Sequence, residues 1–259
     1  MAKIISVHSF RGGTGKSNTT ANLATLLAAQ GKRVGVVDTD VQSPGLHVIF
    51  GLKGLELTTT LNDYLGGKAT IAQTARRVLT DQVAGQLYLI PSSIRTDEIV
   101  HVLREGYDIR LLTTAFRELI EELSLDILLI DTHPGLNEET LFALAISTAV
   151  VIVMRPDQQD YEGTGVTVEV ARSLDVPQMT IIVNKTPTDL DPAQIRDQVE
   201  RTYQCSVGAV LPHSERMMQL GSNAVFVLQH PDHLITRELE RVARELLAAP
   251  EDSRPDVSP

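Results

Sequence analysis

Eight residues near the start of the chain, Phe10-Arg11-Gly12-Gly13-Thr14-Gly15-Lys16-Ser17, restrict the fold more than any other stretch. Gly12, Gly13 and Gly15 let the backbone turn so that its N–H groups point inward, which makes a cradle for an anion. Before the cradle, Lys3 to Phe10 holds Ile4, Ile5 and Val7, the composition of a buried strand. After it, Asn18 to Gln30 reads as a helix with Leu23, Leu26 and Leu27 on one side, ended by Gly31. A glycine loop between a strand and a helix is the setting a phosphate-binding loop requires. There Lys16 reaches the β- and γ-phosphates of a nucleotide, Ser17 offers a hydroxyl to Mg²⁺, and the helix N-terminus adds partial positive charge. Gly12, Gly13, Thr14, Gly15, Lys16, Ser17 and Asn18 are therefore the candidate nucleotide-binding residues.

The rest of the chain continues the alternation. Short apolar runs predict strands at Arg33–Asp38, Leu87–Ile90, Asp126–Asp131, Ala149–Met154, Met179–Asn184 and Val207–Leu211. Helical patterns separate most of them, at Ile109–Leu123, Glu138–Ile146, Glu162–Leu174 and Pro192–Thr202. Near-continuous apolar strands between amphipathic helices predict an α/β fold, a P-loop NTPase with a mainly parallel sheet and helices on both faces. The last helix, Asp232 to Leu247, repeats Ile235, Leu239, Val242 and Leu246 at helical spacing and reads as docked on the core. With 259 residues the chain is sized for one such domain, placed over 1–249. Residues 250–259, acidic and rich in Pro and Ser, are expected to be a disordered tail. Residues 51–109 carry no readable motif beyond one strand and are where a partner-binding insertion would sit.

Composition removes several function classes. The single cysteine, Cys205, permits neither an internal disulfide nor a paired-cysteine metal or redox motif, and suits a reducing, cytoplasmic setting. The start lacks the apolar stretch of a signal peptide, and no run reaches the roughly 18–20 apolar residues of a membrane span. A formal net charge of −10 argues against unaided attraction to nucleic acid or anionic lipid. Arg237, Arg241 and Arg244 interleave with Glu238, Glu240 and Glu245, the pattern of a solvated, balanced face, and Arg76-Arg77 is similarly unspecific.

The glycine loop is similar to the deviant Walker A loop of the ParA/MinD family, usually Lys-Gly-Gly-x-Gly-Lys-Ser/Thr, with Phe10 where the common loop begins with Gly and Arg11 in place of the signature lysine. In that family the signature residue reaches across a dimer interface to the partner's nucleotide. The resemblance implies that Arg11 does so here, its planar fork suiting phosphate oxygens, against the plainer reading of an arginine solvated at the loop's edge. Val36-Val37-Asp38-Thr39-Asp40-Val41-Gln42 resembles the family's switch I. By resemblance Asp40 positions or activates the attacking water and Asp38 supports the Mg²⁺ shell, unless Asp38 merely caps the next turn. Leu125 to Asp131, then Thr132-His133-Pro134-Gly135, resembles a Walker B strand and switch II. Asp131 then holds a water of the Mg²⁺ sphere, and a Pro134-Gly135 turn senses the γ-phosphate. His133, where relatives often have Pro or Ala, can contact phosphate or a partner but reads first as an exposed loop histidine. Relatives use an Asn where Asn184 stands at the adenine edge and pack the segment around Pro212 against the base, although Asn184 can equally serve as a turn residue. The resemblance spans approximately residues 3 to 247.

It implies an ATPase using ATP and Mg²⁺, with Lys16, Asp40 and Arg11 carrying the chemistry. It implies a homodimer when ATP is bound, slow turnover stimulated by an adaptor protein, and service in positioning or partitioning a cargo. DNA stays an open partner that the charge does not indicate. No basic amphipathic helix supplies an autonomous membrane anchor. Iron–sulfur carriers of the same fold need paired cysteines, which Cys205 alone cannot provide. The remaining rivals are a dethiobiotin-synthetase-like biosynthetic enzyme and an ATP-binding regulator that does not cycle.

Overall fold

Residues 2–52, 57–79 and 81–248 are described by a computed structural model. The expected end of the domain at 249 and the tail over 250–259 lie outside the described residues. Eight strands follow one another as β1 (Lys3–His8), β2 (Arg33–Asp38), β3 (Arg76–Val78), β4 (Gln86–Ile90), β5 (Ile127–Asp131), β6 (Ala149–Met154), β7 (Gln178–Thr186) and β8 (Ser206–Pro212). They form one sheet in the order β3-β4-β2-β5-β1-β6-β7-β8. Every pairing is parallel except the edge pair, where Arg76, Arg77 and Val78 run antiparallel to Leu89, Tyr88 and Leu87.

The helices are α1 (Lys16–Ala29), α2 (Leu46–Ile49), α3 (Leu61–Leu65), α4 (Ile71–Thr74), α5 (Thr96–Glu105), α6 (Arg110–Glu122), α7 (Glu138–Ile146), α8 (Gln158–Ser173), α9 (Pro192–Tyr203), α10 (Glu215–Leu220), α11 (Phe226–Gln229) and α12 (Leu234–Ala248). Side chains alternate across a strand, and a parallel sheet must be covered on both faces. Strand β5 shows the division. Ile127 and Leu129 pack with α1, α2, α11 and α12 on one face, while Leu128 and Ile130 pack with α3, α4, α6 and α7 on the other. The second face continues under α8 and α9, over Val150, Ile152, Ile181 and Val183.

Local chemistry moves several boundaries from those expected. Strand β1 stops at His8, not Phe10, and α1 starts at Lys16, not Asn18, because Gly15 takes a left-handed φ of 97° and turns the chain straight into the helix. Helix α8 begins at Gln158, four residues before the expected Glu162, because Asp157 caps it by accepting from Asp160 N at 3.1 Å. Residues 57–79 hold two one-turn helices set by capping boxes, Thr60 with Asp63 and Thr70 with Gln73. The docked reading of the last helix holds, since Ile235, Leu239, Val242 and Leu246 are each at most 1% exposed and lie in the same cluster as α1. Leu239→Ala is expected to cost about 2–5 kcal/mol in chemical denaturation. A loss below about 1 kcal/mol would show that α12 is not part of the core on which α1 rests.

Candidate functional site

The glycine loop joins β1 to α1 at the carboxyl end of the parallel strands, where open α/β sheets bind ligands. Gly13 and Gly15 have φ of 80° and 97°, and a Cβ on Gly15 would lie 2.4 Å from Asn184 Nδ2, so backbone and space both require glycine there. Strand β7 ties the loop in place: Asn184 Nδ2 donates to the Thr14 carbonyl at 2.8 Å and Lys185 Nζ to the Gly13 carbonyl at 2.7 Å. With those carbonyls fixed against β7, the loop holds one shape before any ligand binds. Phe10 supplies a second anchor, its ring set so close to Gly163 of α8 that a Cβ there would meet Cδ1 at 2.0 Å.

Beneath the loop lies a buried charge cluster. The register of β2 and β5 sets Asp38 beside Asp131, at 1% and 0% exposure. Lys16 Nζ lies 2.9 Å from Asp131 Oδ1, which also accepts from Thr20 Oγ1 at 2.7 Å. Beyond that ion pair, Lys16 Nζ has no hydrogen-bond partner among the described residues, and Asp131 Oδ2 has none. Asp38 accepts from three backbone amides, Asp40 N at 3.2 Å on Oδ1, and Gly45 N at 3.0 Å and Leu46 N at 3.2 Å on Oδ2. It thus caps the start of α2 while facing Asp131. Burial, then repulsion from Asp131, pushes its pKa up to about 7 against the pull of Lys16 and the amides. Asp40 accepts from Ser43 N at 3.1 Å, and burial raises its pKa also, opposed by Lys16 and His133. Thr39 joins the segments that follow β2 and β5, donating to the Asp131 carbonyl from its amide at 3.1 Å and its hydroxyl at 3.0 Å.

These residues fit a magnesium nucleotide. Mg²⁺ keeps several waters and takes few protein carboxylates when phosphates share its shell. The Ser17 hydroxyl with the Asp38 and Asp131 carboxylates is a donor set of that kind. The Lys16 ammonium, held by the Asp131 ion pair and no further hydrogen bond among the described residues, is the charge a phosphate would engage.

The remaining expected residues are placed with more variety. Arg11 is not free in solvent: Nη1 lies 3.4 Å from both Asp157 Oδ1 and Asp160 Oδ1 of its own chain. Arg155 binds the same two carboxylates, through Nη2 to Asp157 at 3.0 Å and Nε to Asp160 at 3.3 Å. Asn18 Nδ2 donates to Ser222 Oγ at 3.0 Å, just after α10. The Asn184 amide is spent on the loop and on its own turn, accepting from Lys185 N at 2.9 Å, while Pro212 ends the neighbouring strand opposite Thr186. His133 is not the exposed loop residue expected. It is half-buried, with Nε2 3.8 Å from Asp40 Oδ1. Lys185 is not among the expected site residues; it lies inside β7, directly after the strand expected over Met179–Asn184, and that position is the one signal for it.

His8 lies wholly buried beneath this assembly, Nδ1 2.8 Å from Thr132 Oγ1. Thr132 Oγ1 also lies 3.2 Å from the Val7 carbonyl, to which it can donate while accepting from Nδ1. Burial first, then Lys16 and His133, lowers its pKa to about 3. The unfolded chain binds this proton near the ordinary pKa of about 6.5. The stability is therefore complete above that value and lost as pH falls from there toward 3, by about 2 kcal/mol at pH 5. The raised pKa of Asp38 acts in the opposite direction over the same range, so the test is the difference between two proteins. In urea titrations at about pH 7.5 and pH 5 the wild type should lose about 2 kcal/mol relative to His8→Gln, and an equal change in both would contradict a neutral His8.

Comparison with known proteins agrees with this geometry. A family profile described as an AAA domain matches residues 2–181. The septum site-determining protein MinD of Thermotoga maritima is 24% identical over 252 residues, 95% of this chain and 88% of that protein. An iron–sulfur cluster carrier protein of Aquifex aeolicus is 24% identical over 255 residues, 94% of this chain and 66% of that protein. Among solved structures, MinD complexed with Mg-ADP from Pyrococcus horikoshii superposes with a TM-score of 0.79 at 23% identity, covering 95% of this chain and 96% of that one. At that identity the likeness shows the fold.

Proposed function

This chain belongs to the ParA/MinD family of P-loop ATPases, and on that premise we propose that it is a nucleotide switch that dimerises on ATP, hydrolyses it, and thereby positions or partitions an intracellular cargo. The observation that carries the reading is the buried Lys16–Asp131 ion pair under a preformed phosphate loop. A lysine held by one carboxylate, with no further hydrogen bond, can exchange that partner for phosphate oxygens at little reorganisation cost.

In this reading the amides of Gly12 to Ser17 cradle the phosphates and Asn18 and Pro212 border the base, which Asn184 reaches only by giving up its bond to the Thr14 carbonyl or the Lys185 amide. The Ser17 hydroxyl, with Asp38 and Asp131 acting through water, would hold Mg²⁺, which when bound offsets phosphate charge and polarises the γ-phosphoryl group. Asp40, its carboxyl made more basic by burial, orients the attacking water and takes its proton. Thr39 passes movement of one switch to the other through its double contact with the Asp131 carbonyl. Arg11 leaves Asp157 and Asp160 to reach the nucleotide of a second copy, as an arginine finger does. Slow turnover stimulated by an adaptor protein follows if the trans arrangement is completed only in the assembled complex.

Cluster carriage is not the reading the residues support, since the one thiol, Cys205, is buried and burial raises its pKa. Among the described residues no helix is long and apolar enough to cross a membrane. In the last helix Arg241 is held by Glu238 and Glu245, each at 2.8 Å, and by the Gly208 carbonyl, which supports a charge-balanced face over a DNA patch. A cytoplasmic place of work suits the single cysteine.

Light scattering with ADP, ATP and a slowly hydrolysed analogue, on wild type and Arg11→Ala, tests the reading. A dimer should appear only with ATP or the analogue, and the substitution should weaken it by about tenfold or more. A mass that ignores nucleotide would instead favour a non-cycling regulator or a biosynthetic enzyme of the carboxylate-activating kind.

A further inference from the structure

His133 stands two residues after Asp131, at a position the nucleotide cradle itself does not use. Its backbone is fixed at the entry to α7: the carbonyl accepts from Thr140 Oγ1 at 3.2 Å, next to the Asn137 cap on Thr140 N at 2.8 Å. Its ring is fixed by the chain's own turn, Nδ1 lying 2.6 Å from the Pro134 carbonyl oxygen. A carbonyl oxygen only accepts, so Nδ1 carries the hydrogen. In the neutral ring this leaves Nε2 bare, an acceptor aimed across the switch segments.

What Nε2 faces is Asp40 Oδ1, 3.8 Å away, with the two side chains 24% and 9% exposed. A carboxylate oxygen is also an acceptor, and this one is already oriented by the Ser43 amide at 3.1 Å. A protonated ring would pair with this carboxylate through Nε2–H; in the neutral ring, the form the proposal requires, the two acceptors repel if they meet directly. They are close enough for one molecule to donate to both: a water about 2.8 Å from each would make two bonds at an angle of about 86°, somewhat bent, which a small movement of either side chain would straighten. A single acceptor leaves such a water free to rotate about one O–H bond. Two acceptors fix its plane and aim its lone pair.

We propose that His133 is a water-positioning residue, its Nε2 acting with Asp40 to hold and aim the water that attacks the γ-phosphate. The inference rests on the ATPase reading of the site and adds to it a residue where the family often has Pro or Ala. The water oxygen forms a bond to the γ-phosphorus, and the bond to the β–γ bridging oxygen breaks with its electron pair staying on ADP. The released proton passes to Asp40. His133 takes no proton, so its part is geometric.

The test is single-turnover hydrolysis of ATP by wild type, Asp40→Asn, His133→Ala and His133→Gln, with affinity for the slowly hydrolysed analogue measured separately. Nitrogen-15 spectra of the wild-type ring at about pH 8, where histidine is ordinarily neutral, give a readout independent of turnover. His133→Ala should slow the chemical step about tenfold with analogue affinity unchanged. His133→Gln, whose amide oxygen reaches near the place of Nε2, should recover to within about threefold of wild type. The spectra should show the hydrogen on Nδ1. The proposal is overturned if Asp40→Asn abolishes turnover while His133→Ala runs at the wild-type rate, if Gln fails to recover what Ala loses, or if the hydrogen sits on Nε2. Normal turnover by Asp40→Asn would overturn the reading of the site itself.

Discussion

The contact on which the site depends is the buried ion pair of Lys16 with Asp131, formed beside a second buried carboxylate, Asp38. Lys16 stands at 6% exposure, touches Asp131 at 2.9 Å, and its charge opposes the rise in the Asp38 pKa. Removing Lys16 would leave two carboxylates side by side in a low dielectric, and such uncompensated charge is costly. The sheet order creates the problem and its solution together. Placing β5 between β1 and β2 brings Asp131 next to Asp38, and it also sets the loop after β1 directly over them. The arrangement is short of positive charge and so suits a cation, and its lysine is short of oxygen partners and so suits a phosphate.

From that centre, connections lead outward along short polar contacts. Thr39 ties the segment after β2 to the strand end carrying Asp131, and Ser92 just after β4 donates to the Asp38 carbonyl at 2.7 Å. On the other side, Arg11 and Arg155 share Asp157 and Asp160 at the start of α8, while Phe10 packs on Gly163 one turn further along. The loop is thereby pinned between β7 and α8. A ligand entering it meets a fixed cradle and two movable parts, the Lys16 ammonium and the Arg11 guanidinium.

Much of the fold was legible because its signals are local. The run Ala149–Met154 and the helix Glu138–Ile146 are found with their expected bounds, since six consecutive apolar residues and an Asn cap need no tertiary information. The start of α8 was missed because its first turns, Gln158 to Glu162, are polar and the apolar rhythm appears only later. Edge strand β3 was missed because three residues, two of them arginine, carry no periodicity. At the site, residue types marked Lys16, Asp38, Asp40 and Asp131, but partners remote in sequence were not readable. The Arg11–Asp157 pair spans 146 positions and the Lys185 tie to Gly13 spans 172. The orientation of His133 toward Asp40 likewise depends on two loops brought together by the sheet.

The most direct measurement is a crystal structure of the protein with Mg²⁺ and a slowly hydrolysed ATP analogue. Lys16 Nζ should be found within hydrogen-bond distance of β- and γ-phosphate oxygens and parted from Asp131, with Asp131 turned to the hydration shell of the cation. A nucleotide bound elsewhere, or bound in the loop while Lys16 stays 2.9 Å from Asp131 as it does here, would contradict the exchange of partners on which the switch is built.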